Sequence, residues 1–224
     1  MKTIFRSVFV LAIVATVGWS TVRVADIMVN RKDNKEMLAA MKRMELYDSI
    51  NLDKVAYMAT AVPRVGKYIS GVESFLVCST IWKVSEQRAS SIDMPVKDFA
   101  EIMEALCEHE TGFKENAVNP TSGISGPWQV SYSLAKALRY DPLIASEELT
   151  SKTDLMSWER SAPYAAAAFC LFYESAGRNL EKTLWYWHDG EPVVDSGHTT
   201  AAAKYLAEHV LAIIRRNKEM EKVG

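Results

Sequence analysis

Cysteine is scarce, with Cys78, Cys107 and Cys170 the only 3 in a chain of 224 residues. An odd count leaves at least one thiol unpaired within a monomer, and no pair is spaced as CxxC, so a disulfide scaffold is excluded. An excess of one charge is also lacking: 26 Lys and Arg stand against 28 Asp and Glu, a net charge of −2. Nucleic-acid binding leaves a strongly basic footprint, so nucleic acid is not an expected partner, and attraction to any anionic polymer must come from local patches. Sustained period-two alternation is missing, and so is any repeat of 20 to 50 residues. What remains is ordinary globular composition, 49% hydrophobic and 24% charged, patterned as a mainly α-helical chain.

The first residues carry an export pattern. Lys2 and Arg6 precede the uncharged run Ser7 to Val22, SVFVLAIVATVGWSTV, which ends at Arg23. Its helical length is roughly 24 Å against a hydrocarbon core of about 30 Å, and snorkelling by Arg6 and Arg23 makes up part of the difference. Two readings stay open, an uncleaved signal-anchor and a signal peptide cut after the small residues Gly18 and Ser20. The absence of an A-x-A site favours the anchor. Lys and Arg on both flanks do not decide the orientation. The chain is therefore divided into a leader or transmembrane helix over 1–31, a helical stalk or N-terminal helical layer over 32–92, and a main domain over 93–224.

Between Asp33 and Gln87 the runs MLAAMKRM and VESFLVCSTIW have helical spacing, interrupted by Pro63, Gly66 and Gly71; no chemistry stands out there. SSIDMPVKD opens the next helix, with Asp93 as its cap and Pro95 in its first turn. The turn-rich segment NPTSGISGPW, Asn119 to Trp128, predicts a loop. Further helices are expected over Tyr132 to Arg139, Leu155 to Glu174, Leu180 to Trp187 and Thr199 to Arg216.

The helix from Pro95 to His109 separates into an apolar face of Phe99, Met103, Leu106 and Cys107 and a polar face of Lys97, Glu101, Glu104 and Glu108. Glu110 continues the apolar face, whereas Glu108 extends the polar one. Gly112 suits a left-handed C-cap. A carboxyl that is partly buried and close to the negative end of the helix dipole resists ionisation. An acid kept protonated near neutral pH is what cleavage of a glycosidic bond requires, because the leaving oxygen must receive a proton.

Rival motifs fail. His109-Glu110 lacks the second histidine of HExxH because position 113 is Phe, and Cys107 and His109 point to different sides of a helix. Ser125 lacks the second glycine of GxSxG because residue 127 is Pro. His188, His198 and His209 each fit surface or capping roles. No metal and no cofactor is expected.

Residues 110 to 130, ETGFKENAVNPTSGISGPWQV, resemble the lytic transglycosylase and goose-type lysozyme superfamily. That family has a Glu followed by Ser or Thr, an aromatic, an Asn-Ala stretch and a G-A-x-G-L-M-Q loop. The resemblance places Glu110 as catalytic acid/base, with Thr111, Phe113, Gly123, Gly126, Trp128 and Gln129 at the substrate. Glycines let backbone approach a sugar, Gln129 offers a donor and an acceptor, and Trp128 fits either sugar stacking or the core. Downstream, WYWHDG occupies the place of the family's A-Y-N-A-G, setting Trp187 on the Tyr and His188 on the Asn. Trp187 offers an indole N–H where the family has an O–H. The closing helix, TTAAAKYLAEHVLAIIRR, places Tyr205 in the core. The resemblance spans about residues 93 to 217 and implies a lysozyme-like fold.

Most glycosidases pair two carboxylates, and here only Glu115 and Asp189 offer a second, each fitting a loop residue better. The family's single-Glu chemistry resolves this. Glu110 protonates the oxygen linking N-acetylmuramic acid to N-acetylglucosamine, then as a base activates the C6 hydroxyl of the same sugar, leaving a 1,6-anhydromuramyl end. The implied partners are peptidoglycan glycan strands and the membrane through the N-terminal helix, with an envelope-spanning secretion, pilus or phage assembly as a possible setting. The implied location is the inner membrane with the main domain in the periplasm, an exported form, or a virion. A hydrolytic lysozyme or tethered endolysin, and a non-catalytic structural component, stay as alternatives.

Overall fold

The computed structural model describes residues 51–119, 122, 124–144 and 149–223. The expected leader over 1–31 and the first part of the stalk lie outside them, as does Gly123. Among the described residues the chain is all helical, with eight α-helices, two short 3-10 turns and no strand. None of these helices is long and apolar enough to cross a membrane. Two compact units divide between Ser79 and Thr80, N-terminal to the 92/93 boundary drawn from the sequence.

In the first unit, α1 (Leu52–Val65) starts where Asn51 Oδ1 accepts the Lys54 N–H at 3.0 Å, and Asp53 and Arg64 match the two ends of the dipole. Pro63 does not interrupt this helix, contrary to expectation, for α1 continues to Val65 and ends at Gly66. A proline in a last turn removes one donor at the point where the ladder is about to end. The break before Gly71 is as expected. Ser70 and Glu73 form a reciprocal capping box, Ser70 N to Glu73 Oε2 at 3.0 Å and Glu73 N to Ser70 Oγ at 3.3 Å. That box starts α2 (Gly71–Arg88), which runs on through the division.

The second unit is built on α3 (Val96–Thr111). Asp93, expected to cap it, instead closes the preceding 3-10 turn Ala89–Ile92 in a left-handed conformation and accepts from Arg178 at 2.7 Å; Pro95 takes the N-cap position. The polar face expected on α3 is not solvated. Glu101 is 1% exposed and Glu104 fully buried, and every residue from Phe99 to Cys107 is buried. Glu108 is held by both terminal nitrogens of Arg216, at 3.0 and 2.9 Å. Sequence pattern assigns carboxylates to water by default, but a helix packed on several sides draws them inward when cations such as Lys97, 3.8 Å from Glu101, or Arg216 approach.

After α3 come α4 (Tyr132–Leu138), which packs on α5 (Trp158–Ser175), then α6 (Leu180–Asp189), the short α7 (Glu191–Asp195) packed on α6, and α8 (Ala201–Val223). The second 3-10 turn, Lys152–Met156, precedes α5, and Ser157 between them caps α5 by accepting the Arg160 N–H. Phe99 meets Phe169 edge to face at 5.5 Å, seating α5 on α3. Helix α8 packs on both α3 and α6. It runs antiparallel to α3, with Lys218 paired to Asp98 near one end and His209 facing His109 near the other.

Candidate functional site

The site grows from the C-terminus of α3. Gly112 adopts φ 58°, ψ 42°, its N–H donates to Glu108 O, and the Phe113 N–H reaches back to Cys107 O. This is the left-handed termination the sequence predicts. It leaves Glu110 and Thr111 on the last turn, at the mouth of the loop that follows.

Three hydrogen bonds set that loop. Thr111 Oγ1 donates to Pro127 O at 2.9 Å, tying the helix end to the second half of the loop. Gly126 N donates to Ala117 O and Asn119 N to Ile124 O, both at 2.8 Å, around an antiparallel bridge between Val118 and Ser125. Gly126 has φ +93°, and a Cβ there would lie 1.8 Å from Leu155 O. Glycine is therefore required by close backbone approach, to protein rather than to a ligand. The NH2 group of Gln129 is spent on Gly126 O at 2.8 Å and Ala117 O at 3.4 Å, so this residue braces the loop.

Two residues expected at the substrate are core residues instead. Trp128 is fully buried, and its indole N–H donates to Met103 O at 2.9 Å. Phe113 is fully buried too, while its carbonyl accepts from Trp158 Nε1 at 3.1 Å. Neither ring has a face left for a sugar. Both side chains pin the loop onto the helices. Tyr205 errs in the opposite direction: expected in the core, it is 63% exposed and stacks on His209. Ala203, Leu206 and Val210 take the inward positions of α8 instead.

Glu110 is part-buried, and its Oε1 accepts the indole N–H of Trp187 at 3.1 Å. Residues 77 positions apart thus meet, and Trp187 supplies the N–H that its position in WYWHDG allowed. Burial pushes the Glu110 carboxyl up to about 7; the Trp187 bond and the charge of His188 oppose that rise. The acid is therefore about half protonated at neutral pH, able both to give and to take a proton, and still has one oxygen fixed by a donor.

The two candidate second carboxylates are engaged in structure. Glu115 Oε1 accepts the Trp158 N–H at 3.3 Å, at the start of α5. Asp189 accepts the Thr200 N–H and hydroxyl, both at 2.7 Å, and lies 2.8 Å from His188 Nδ1. These bonds hold the Asp189 carboxyl below the usual carboxylate range against the opposing effect of its burial. His188 is thereby oriented by its neighbour.

Sequence reading missed the convergence of histidines. His109, on α3 next to Glu110, has its Nδ1 2.7 Å from Nδ1 of His209 on α8. The charge of His188 on α6 reaches both His109 and Glu110. Only tertiary packing brings these positions together, so no local spacing could announce them. Cys107, beneath the same turn, is fully buried, and its thiol is pushed well above its ordinary range by desolvation. Among the described residues no group of three or more His, Cys, Asp or Glu is arranged to hold a metal. Compared with known protein families, curated proteins and solved structures, the chain has no match.

Proposed function

We propose that this chain cuts the glycan strands of peptidoglycan, with Glu110 as its general acid and then its base. The observation that carries the proposal is one carboxyl, desolvated so that its pKa is about 7 and anchored by the Trp187 indole. Such a group can give a proton to a leaving sugar oxygen at neutral pH and take one back from the attacking hydroxyl. The resemblance of residues 110 to 130 to lytic transglycosylases supports the substrate class. Engagement of Glu115 and Asp189 in helix starts favours the single-carboxylate route, in which the C6 hydroxyl of the same sugar attacks and a 1,6-anhydromuramyl end forms. The proposal places this chemistry outside the cytoplasm, with residues 1–31 as anchor or leader.

The test is mass spectrometry of muropeptides released from purified peptidoglycan. Anhydro ends are the expected product, and Glu110→Gln is expected to lower their release by roughly 10²- to 10⁴-fold. Reducing ends would assign hydrolysis to the same acid. Absence of cleavage by the wild-type chain would refute the enzymatic reading and leave a structural role.

A further inference from the structure

The His109–His209 contact has a consequence for Glu110. Two imidazole nitrogens at 2.7 Å form a hydrogen bond only when one carries a proton and the other offers a lone pair. The bond therefore exists while at least one ring is neutral. It also links the residue immediately before Glu110 to a different helix, α8. His109 is part-buried, whereas His209 is exposed and sandwiched against the Tyr205 ring at 5.7 Å and 18°. This stacking fixes the plane of the outer ring and hence the direction of its nitrogen.

We infer that His209 is a positioning residue for Glu110, acting through His109 as a proton-shared latch that secures the end of α3 against α8 and opens when both rings are protonated. The groups facing the pair are His188 from α6 and Tyr205 from α8; Glu108 on α3 is already paired with Arg216. Burial first, then the charges of His209 and His188, hold His109 below the ordinary histidine value. The latch is thus closed at neutral pH and opens on acidification. Because the pair shares a proton, its titration belongs to both rings together.

This inference rests on Glu110 as the acid for its kinetic consequence, but its structural content is separable. Nitrogen-15 NMR of the imidazoles across pH 4.5 to 8 is expected to show His109 gaining its proton in a step coupled to His209, a coupling lost in His209→Gln. Glutamine still offers a donor and an acceptor but does not titrate. In glycan cleavage, His209→Ala is expected to lower kcat about tenfold, the size of one lost hydrogen bond, with KM unchanged. His209→Gln should retain most of kcat while losing the fall in activity on the acid side. Independent titration of the two rings, or a His209→Gln variant with the wild-type acid limb, would overturn the latch while leaving Glu110 in place. A wild-type chain that cleaves nothing while its rings titrate together would remove the acid but keep the latch.

Discussion

Trp187 donates its indole N–H to Glu110 Oε1 across 3.1 Å, joining α6 to the last turn of α3. A donor aimed at a carboxylate favours its charged form, so this bond holds down a group that burial pushes up. Activity that needs protonated Glu110 is expected to fall as pH rises through about 7. In Trp187→Phe that midpoint should move upward by about one unit, since a hydrogen bond to a charged group contributes about 1.5 kcal/mol and one unit corresponds to about 1.36 kcal/mol. The pH profile of muropeptide release checks this. A midpoint that stays still or moves down would show that the indole does not set the acidity of Glu110.

The same carboxyl makes stability depend on pH. Its folded value of about 7 exceeds the ordinary 4.5, so between those values the unfolded chain loses its proton first. Stability from this group is fully present below about pH 4.5 and is lost as pH rises through 7. Glu110→Gln abolishes the loss. By pH 8 the variant is expected to exceed wild type by up to about 3 kcal/mol, and at pH 4.5 to match it. Thermal melts at the two pH values read this directly, at about 2–4 °C per kcal/mol for a domain of this size. An equal Tm difference at both would mean that Glu110 is not desolvated by the fold.

Much of the scaffold was legible because its signals are local. Gly112 ends α3, the breaks near Gly66 and Gly71 separate the first helices, and Glu110 continues an apolar face. Local pattern failed where neighbours far along the chain decide the outcome. Glu101 and Glu104 look like surface until α3 proves buried all round, and Trp128, which fits either a sugar platform or the core, is settled as core only by its burial and its N–H on Met103 O. Tyr205 shares a helix with inward-facing Ala203 and Leu206 yet points outward. The pairing of His109 with His209 spans 100 residues and has no sequence period to reveal it.

Gly126 gives a direct structural prediction. At φ +93°, with Leu155 O 1.8 Å from the place of a Cβ, alanine must displace backbone rather than a flexible side-chain tip. Gly126→Ala is expected to cost roughly 3 kcal/mol or more, combining left-handed strain with the clash. The urea midpoint should fall accordingly, and cleavage should weaken with it, because Thr111 is tied to the adjacent Pro127 carbonyl. A variant with an unchanged midpoint would mean that the loop does not approach Leu155 as described.

Trp128 distinguishes a core residue from a substrate platform. Its ring is fully buried and its N–H is bonded to Met103 O at 2.9 Å. Trp128→Phe keeps an aromatic ring, loses the donor and leaves a small void. Loss of a buried hydrogen bond costs about 1–3 kcal/mol, and unfilled volume adds to it. The expected phenotype is therefore a lowered Tm with KM for glycan strands within about twofold of wild type, since a residue with no exposed surface removes no ground-state contact to substrate. A sugar platform would give the reverse pattern, KM raised tenfold or more at unchanged Tm. Measuring both quantities on the one variant decides between the roles, because packing and stacking draw on different faces of the same indole.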